Sequence, residues 1–187
     1  MLPGLYLSAF FVSLLELVMF YEKRLGKNSQ NRMLLFAVSF VANYGCAFES
    51  FALTVSEALC GLQIYFIGNT LTFVFLFFVI ADICTIKLHR YIERLVFGIA
   101  FIIMVLVCIC SHNTIFFKSL QIDHFYGAAY LIKESGPLYY LYPCFILAAT
   151  IASFFVIFWS LKHHKKVSRK TVGYLLTILL ISDVTTI

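Results

Sequence analysis

Ser39, Asn43, Cys46 and Ser50 stand four, three and four residues apart within one apolar stretch. On a helix those intervals place all four on a single face. The chemistry such a face can do is hydrogen bonding, either to a neighbouring helix or to a ligand lying between helices. Glu49 sits beside the stripe, and Gln63 and Asn69 follow in the next apolar stretch. Catalytic and metal chemistry find no comparable pattern. No glycine loop able to cradle phosphate, no His-Glu-x-x-His and no set of nucleophile, base and orienter is present, so neither an active site nor a cofactor is expected. Cys108, Cys110 and His112 alternate, which spreads them around a helix instead of converging them on one ion, and no Cys-x-x-Cys pair occurs. Metal binding is therefore not expected.

The elements that must carry these residues are membrane helices. Apolar residues make up 62% of the chain and charged residues 12%, with a mean hydropathy of +0.95, outside the range of water-soluble domains. The apolar runs are Leu2–Tyr21, Met33–Leu53, Gly61–Ala81, Leu95–Ser111, Tyr139–Leu161 and Thr171–Ile187. Each is close to the roughly 20 residues needed to cross a bilayer, and none alternates with the period of two of a barrel strand. The expectation is an all-α polytopic membrane bundle with six spans in a single module over residues 1–187. The sixth run enters the membrane from the basic connection 162–170 and reaches the polar group Ser182, Asp183, Thr185 and Thr186 at its far end, which reads either as a fragment or as an unusual sixth span ending flush with the outer surface.

Charge gives the bundle a direction. All but Lys118 and Lys133 of the fourteen Lys and Arg residues fall in the connections 22–32, 83–94 and 162–170, while 54–60 and 112–138 hold almost none. Short loops retained in the cytoplasm keep Lys and Arg, so these three basic connections are expected inside and the N-terminus outside. The basic run Lys162–Lys170 is then a topology signal drawn to anionic headgroups, and nucleic acid is not expected as a partner. With this orientation Glu49, Gln63 and Asn69 share a depth near the exterior and are expected to line a cavity open to it, together with Asn43. Glu16 and Asp82 fall toward the inner side as interface residues. The longest exterior segment, 112–138, carries Asn113 and Asp123 and ends in the turn signal Gly136-Pro137. Asn43, Glu49, Gln63, Asn69, Asn113 and Asp123 are the expected ligand-binding or gating residues.

Several short motifs stand in a characteristic order relative to these spans. They are Glu57-Ala58-Leu59 leading to Ile64-Tyr65-Phe66-Ile67-Gly68, then His112-Asn113-Thr114-Ile115-Phe116-Phe117, then Gly136-Pro137-Leu138-Tyr139-Tyr140, then Ser168-Arg169-Lys170. Over roughly residues 43–187 this order resembles the N-terminal seven-helix sensor region of bacterial histidine kinases, also found ahead of diguanylate cyclase domains. Where that family shows Thr-Asn followed three residues later by His, this chain has His112-Asn113 with Phe116 in the place of the imidazole, and a proline usual in the sixth span is replaced near Ser182-Asp183.

The resemblance implies a bacterial plasma-membrane protein of two-component type, six spans of seven, and a cytoplasmic output domain in the same parent chain. The expected function is a signal-sensing input module that binds a small-molecule or membrane-dissolved signal and passes helix movement to that output, with the bilayer as its surroundings and a homodimer as an allowed arrangement. The competing expectation is a small-molecule transporter or channel component, in which the polar stripe lines a path. Transporters tend to pair broken helices and carry several intramembrane charges, and neither pattern is present here.

Overall fold

A computed structural model describes residues 2–22, 30–109, 115–163 and 172–179. Its helices are α1 (Leu2–Glu22), α2 (Gln30–Ser50), α3 (Val55–Ile83), α4 (Arg90–Ile109), α5 (Leu141–His163) and α6 (172–179). Between α4 and α5 lie strands β1 (Phe117–Phe125) and β2 (Ala128–Ser135). Four of the helices are long and apolar enough to cross a membrane: Gln30–Ser50, Val55–Ile83, Arg90–Ile109 and Leu141–Lys162. The apolar part of α1, Pro3–Met19, is shorter. Residues 180–187, in the outer half of the expected sixth run, lie outside the described residues, as does Asn113.

The chain builds around α3, which packs against α2, α4, α5 and the hairpin. Its side chains from Phe73 to Ala81 are buried without interruption. A helix apolar all round and buried all round is the centre of a bundle. By contrast α4 exposes Leu95, Phe101 and Ile102, and α5 exposes Leu147, Ile151, Phe155 and Phe158. Such continuous apolar faces are stable against hydrocarbon and costly against water.

The start of α3 differs from expectation. Residues 55–60 are helical, so the connection from α2 shrinks to residues 51–54. A capping box explains the change: the Thr54 hydroxyl accepts from the Glu57 backbone N–H at 3.2 Å. The Glu57 carboxylate in turn accepts from the backbone N–H groups of Leu53 at 2.8 Å and Thr54 at 3.2 Å. Two backbone donors that a helix start leaves open, and that of the preceding Leu53, are thereby satisfied. In α5, Pro143 stands in the first turn, where a missing N–H removes no helical bond.

Contact between α2 and α3 is backbone to backbone. A Cβ placed on Gly61 would lie 2.6 Å from the Glu49 backbone nitrogen. One on Gly45 would strike the Tyr65 backbone, and one on Gly68 would strike the backbone of Ala42. Gly61 and Gly68 are seven residues apart on one face of α3, so the approach is held over two helical turns. Between membrane helices, where lipid competes equally for apolar surface, close packing at small residues supplies much of the association energy.

Segment 117–135, expected only as an exterior loop, folds as an antiparallel hairpin with Phe125 opposite Ala128 and Leu131 opposite Ile122. Tyr126 and Gly127 form its two-residue turn with φ of 49° and 81°. Positive φ at both central positions is the type I′ geometry whose twist matches paired strands. Gly136 closes the base, donating its N–H to the Phe116 carbonyl at 2.9 Å, with no room for a side chain against Ile115. The helical bundle thus carries a small sheet on the end where α2 meets α3.

Replacing Gly68 with Val should destabilise the protein in detergent micelles by about 1–3 kcal/mol or more through overpacking. Replacing Gly98, which has nothing within 4 Å of its added Cβ, with Ala should be neutral or stabilising by up to about 1 kcal/mol. Thermal unfolding of the two variants side by side checks this.

Candidate functional site

The polar face of α2 opens on a cavity of about 620 Å³ bounded by α1, α2, α3 and β2. Ser39, Asn43, Cys46 and Ser50 all line it, as their spacing predicts, together with Glu49. From α3 come Leu62, Tyr65, Asn69 and Thr72, again at intervals that keep one face inward. Tyr6 and Ala9 of α1 and Ala129, Tyr130, Leu131 and Lys133 of β2 complete the wall. The close approach of α2 and α3 sets the two polar faces beside each other, and the hairpin covers them.

Two polar ties hold the walls in place. The Glu49 carboxylate, one of whose oxygens is Oε1, accepts a hydrogen bond at that atom from the Leu131 backbone N–H at 3.2 Å, fastening β2 to α2. The Asn69 amide donates to the Tyr142 hydroxyl at 2.5 Å and to the Tyr65 hydroxyl at 3.3 Å, fastening α3 to α5 behind the cavity. Asn69 is buried and its side chain is fully engaged on the donor side.

Lys133 is the residue that sequence reasoning missed. It projects from β2 into the cavity with its ammonium 5.3 Å from the centre of the Phe66 ring and 6.0 Å from that of Phe117. These are cation–π distances. Burial pulls its pKa below the ordinary lysine range, and the nearby Glu49 carboxylate opposes that shift. A signal for it existed: in a segment otherwise almost free of Lys and Arg, a retained lysine asks for a reason. Phe116, at the position where the resemblance leads one to expect a histidine, lies in an aromatic cluster with Phe66, Phe117 and Tyr139, at centroid separations of 6.0, 4.8 and 5.7 Å.

The remaining expected residues are placed elsewhere. Gln63, turned about 100° from Leu62 on the helix, donates its amide to the carbonyls of Val107 at 3.1 Å and Cys108 at 3.3 Å. It satisfies carbonyls that the end of α4 leaves open. Asp123 is exposed on β1, where it accepts from the His124 N–H at 2.7 Å and from the Tyr130 hydroxyl at 2.9 Å. Those bonds hold its carboxyl below the usual carboxylate range and raise the Tyr130 hydroxyl. Its role is to brace the hairpin across the Asp123–Tyr130 pair.

A second cavity of about 760 Å³ lies at the opposite end of the bundle, lined by Asn31, Asp82, Thr85, Lys87, Arg90 and Glu93 among others. Asp82 there is already engaged, accepting from the Asn31 amide at 2.7 Å. Lys87, Arg90 and Glu93 are exposed side chains of the connection and of the first turn of α4. The 620 Å³ cavity is the better candidate because its charged groups are held inside it.

A protein-family model described as the N-terminal 7TM region of histidine kinase matches residues 5–187. No curated protein and no solved structure matches the chain.

Because the folded chain holds the Lys133 proton less tightly than the unfolded chain does, unfolding takes up a proton at alkaline pH below the ordinary lysine value, and stability rises with pH there. Replacing Lys133 with Met removes that contribution. The stability of the native protein relative to Lys133→Met should therefore improve as pH is raised through this window, as read from denaturant midpoints.

Proposed function

The chain belongs to the N-terminal 7TM region of histidine kinases, and from that premise we propose that it is a ligand-responsive input module whose signal binds in the cavity between α1, α2, α3 and β2. Membership makes it a multi-pass plasma-membrane protein of histidine kinase signal transduction. In this reading the N-terminus and the hairpin face the exterior, and connections 22–32, 83–94 and 162–170 face the cytoplasm, where the output of the parent protein acts, of kinase or diguanylate cyclase type. The observation that carries the proposal is the convergence of Asn43, Glu49, Asn69 and Lys133, from three separate elements, on one cavity.

The proposed mechanism is a population shift. A ligand favours one helix arrangement only by the difference between its affinities for the two. The cavity offers such a difference because one wall is the two-stranded hairpin and another is the joined pair α2 and α3. Drawing β2 toward α2 moves the strand that runs through Gly136-Pro137 directly into α5. The α5 helix then slides along α3, the kind of small helix displacement that packed interfaces amplify. At the far end of that path Ser160 of α5 donates to the Cys84 carbonyl at the end of α3, a contact that such sliding alters.

Sidedness is checked with cysteines placed at Ser119 on β1 and at Arg94 on α4, in a chain cleared of its native thiols. An impermeant maleimide on intact cells should label the first and spare the second, and the reverse pattern would overturn the proposal. The cavity is checked by fusing the chain to a reporter output and applying spent culture medium. Joint replacement of Asn43 and Asn69 with Ala should shift the half-maximal dose about tenfold or more, the worth of one or two hydrogen bonds to a ligand. An unchanged dose response at normal expression would reject the pocket.

A further inference from the structure

The cavity contains one cation and one anion among its lining residues, Lys133 and Glu49, and they do not form an ion pair with each other. Among the described residues no carboxylate reaches ion-pair distance of the Lys133 ammonium, whose neighbours are the faces of Phe66 and Phe117. Glu49 spends one oxygen on the Leu131 N–H, and its other oxygen has no hydrogen-bond partner among the described residues. The amide of Asn43 likewise makes no hydrogen bond to the described protein, leaving two donors and an acceptor turned to the same space. No side-chain nitrogen or oxygen is sealed away without a partner among the described residues, so these open valences are accessible, on residues that line the cavity.

We propose that this cavity takes a small zwitterion of the α-amino acid class, its carboxylate on Lys133, its ammonium on Glu49 and its polar remainder on Asn43. The assignment rests on the sensor reading above. Glu49 is fastened to the Leu131 N–H, and Lys133 follows two residues along the same strand, so its side chain leaves β2 on the same face as that of Leu131. A molecule that carries both charges on adjacent carbons offers a partner to each of these two groups, which line one cavity without pairing with each other. A ligand of single charge satisfies one group and faces its own sign at the other, which is penalised strongly in a site of low dielectric. Tyr65, Leu62, Ala42 and Ala9 form an apolar wall for the side chain, and the volume of about 620 Å³ leaves room for an aliphatic one.

The test is calorimetric titration of the full 187-residue chain in lipid nanodiscs with three matched probes. L-Leucine carries both charges, 4-methylpentanoate lacks the ammonium and 3-methylbutylamine lacks the carboxylate. L-Leucine should bind about tenfold or more tighter than either. Lys133→Met should reduce its affinity to the level of the amine, and Glu49→Gln to the level of the acid. Lys133→Arg, which keeps the charge, should retain binding and serves if the methionine variant does not fold. Equal affinity for the three probes, no saturable binding of L-leucine, or indifference to Lys133→Met would overturn the ligand class. Sensing has a separate readout in the reporter fusion, so a fusion that answers spent medium but not L-leucine rejects the amino-acid assignment alone.

Discussion

Everything in this bundle depends on how closely the backbones of α2 and α3 approach. Gly45, Gly61 and Gly68 remove the side chains that would hold the two helices apart. In a bilayer the lipid tails solvate apolar side chains as well as another helix does, so association has to come from packing and from hydrogen bonds. Once α2 and α3 are joined along this seam, their polar faces are presented side by side. Asn43, Cys46 and Glu49 then meet Tyr65 and Asn69 along the seam, with Glu49 beside Gly61 toward one end and Ala42 beside Gly68 further along. A wider spacing would admit lipid between the faces and leave those groups unpaired in hydrocarbon.

The hairpin turns that groove into a cavity. It attaches through complementary contacts: the Glu49 carboxylate on the Leu131 N–H, and the Phe116 and Phe117 rings against Phe66. Phe66 in turn packs edge-on against Tyr142 with ring centres 4.5 Å apart, which ties the hairpin base to α5. Lys133 is held in this setting against the faces of Phe66 and Phe117, with the Glu49 carboxylate nearby. The same strand therefore closes the cavity, brings a cation into it and leads into the next long helix.

Different residues report differently on how much of this could be read in advance. The Thr54-x-x-Glu57 capping box was present as a sequence signature, yet the polar residues between the two runs made 54–60 look like a connection. The hairpin was harder to see. Its turn is Tyr126-Gly127 in place of the Asn-Gly or Asp-Gly that usually marks a type I′ turn, and a bulky residue at positive φ is uncommon. Gln63 shows the limit of matching residues by depth alone. It is one position from Leu62, which lines the cavity, and that rotation of about 100° on α3 points it at the end of α4.

The sequence by itself determined the membrane class, the family and the inward face of α2, because hydropathy and helical periodicity are local properties carried by each segment alone. It also determined which α2 residues share a face, and all four of the stripe reach the cavity. Only the tertiary structure decided which α3 residues meet them, that segment 117–135 is a sheet and that Lys133 lines the cavity. Those facts depend on the rotation of one helix against another and on the register of a hairpin. Both are set by contacts between residues far apart in the chain, such as Glu49 with Leu131 and Asn69 with Tyr142.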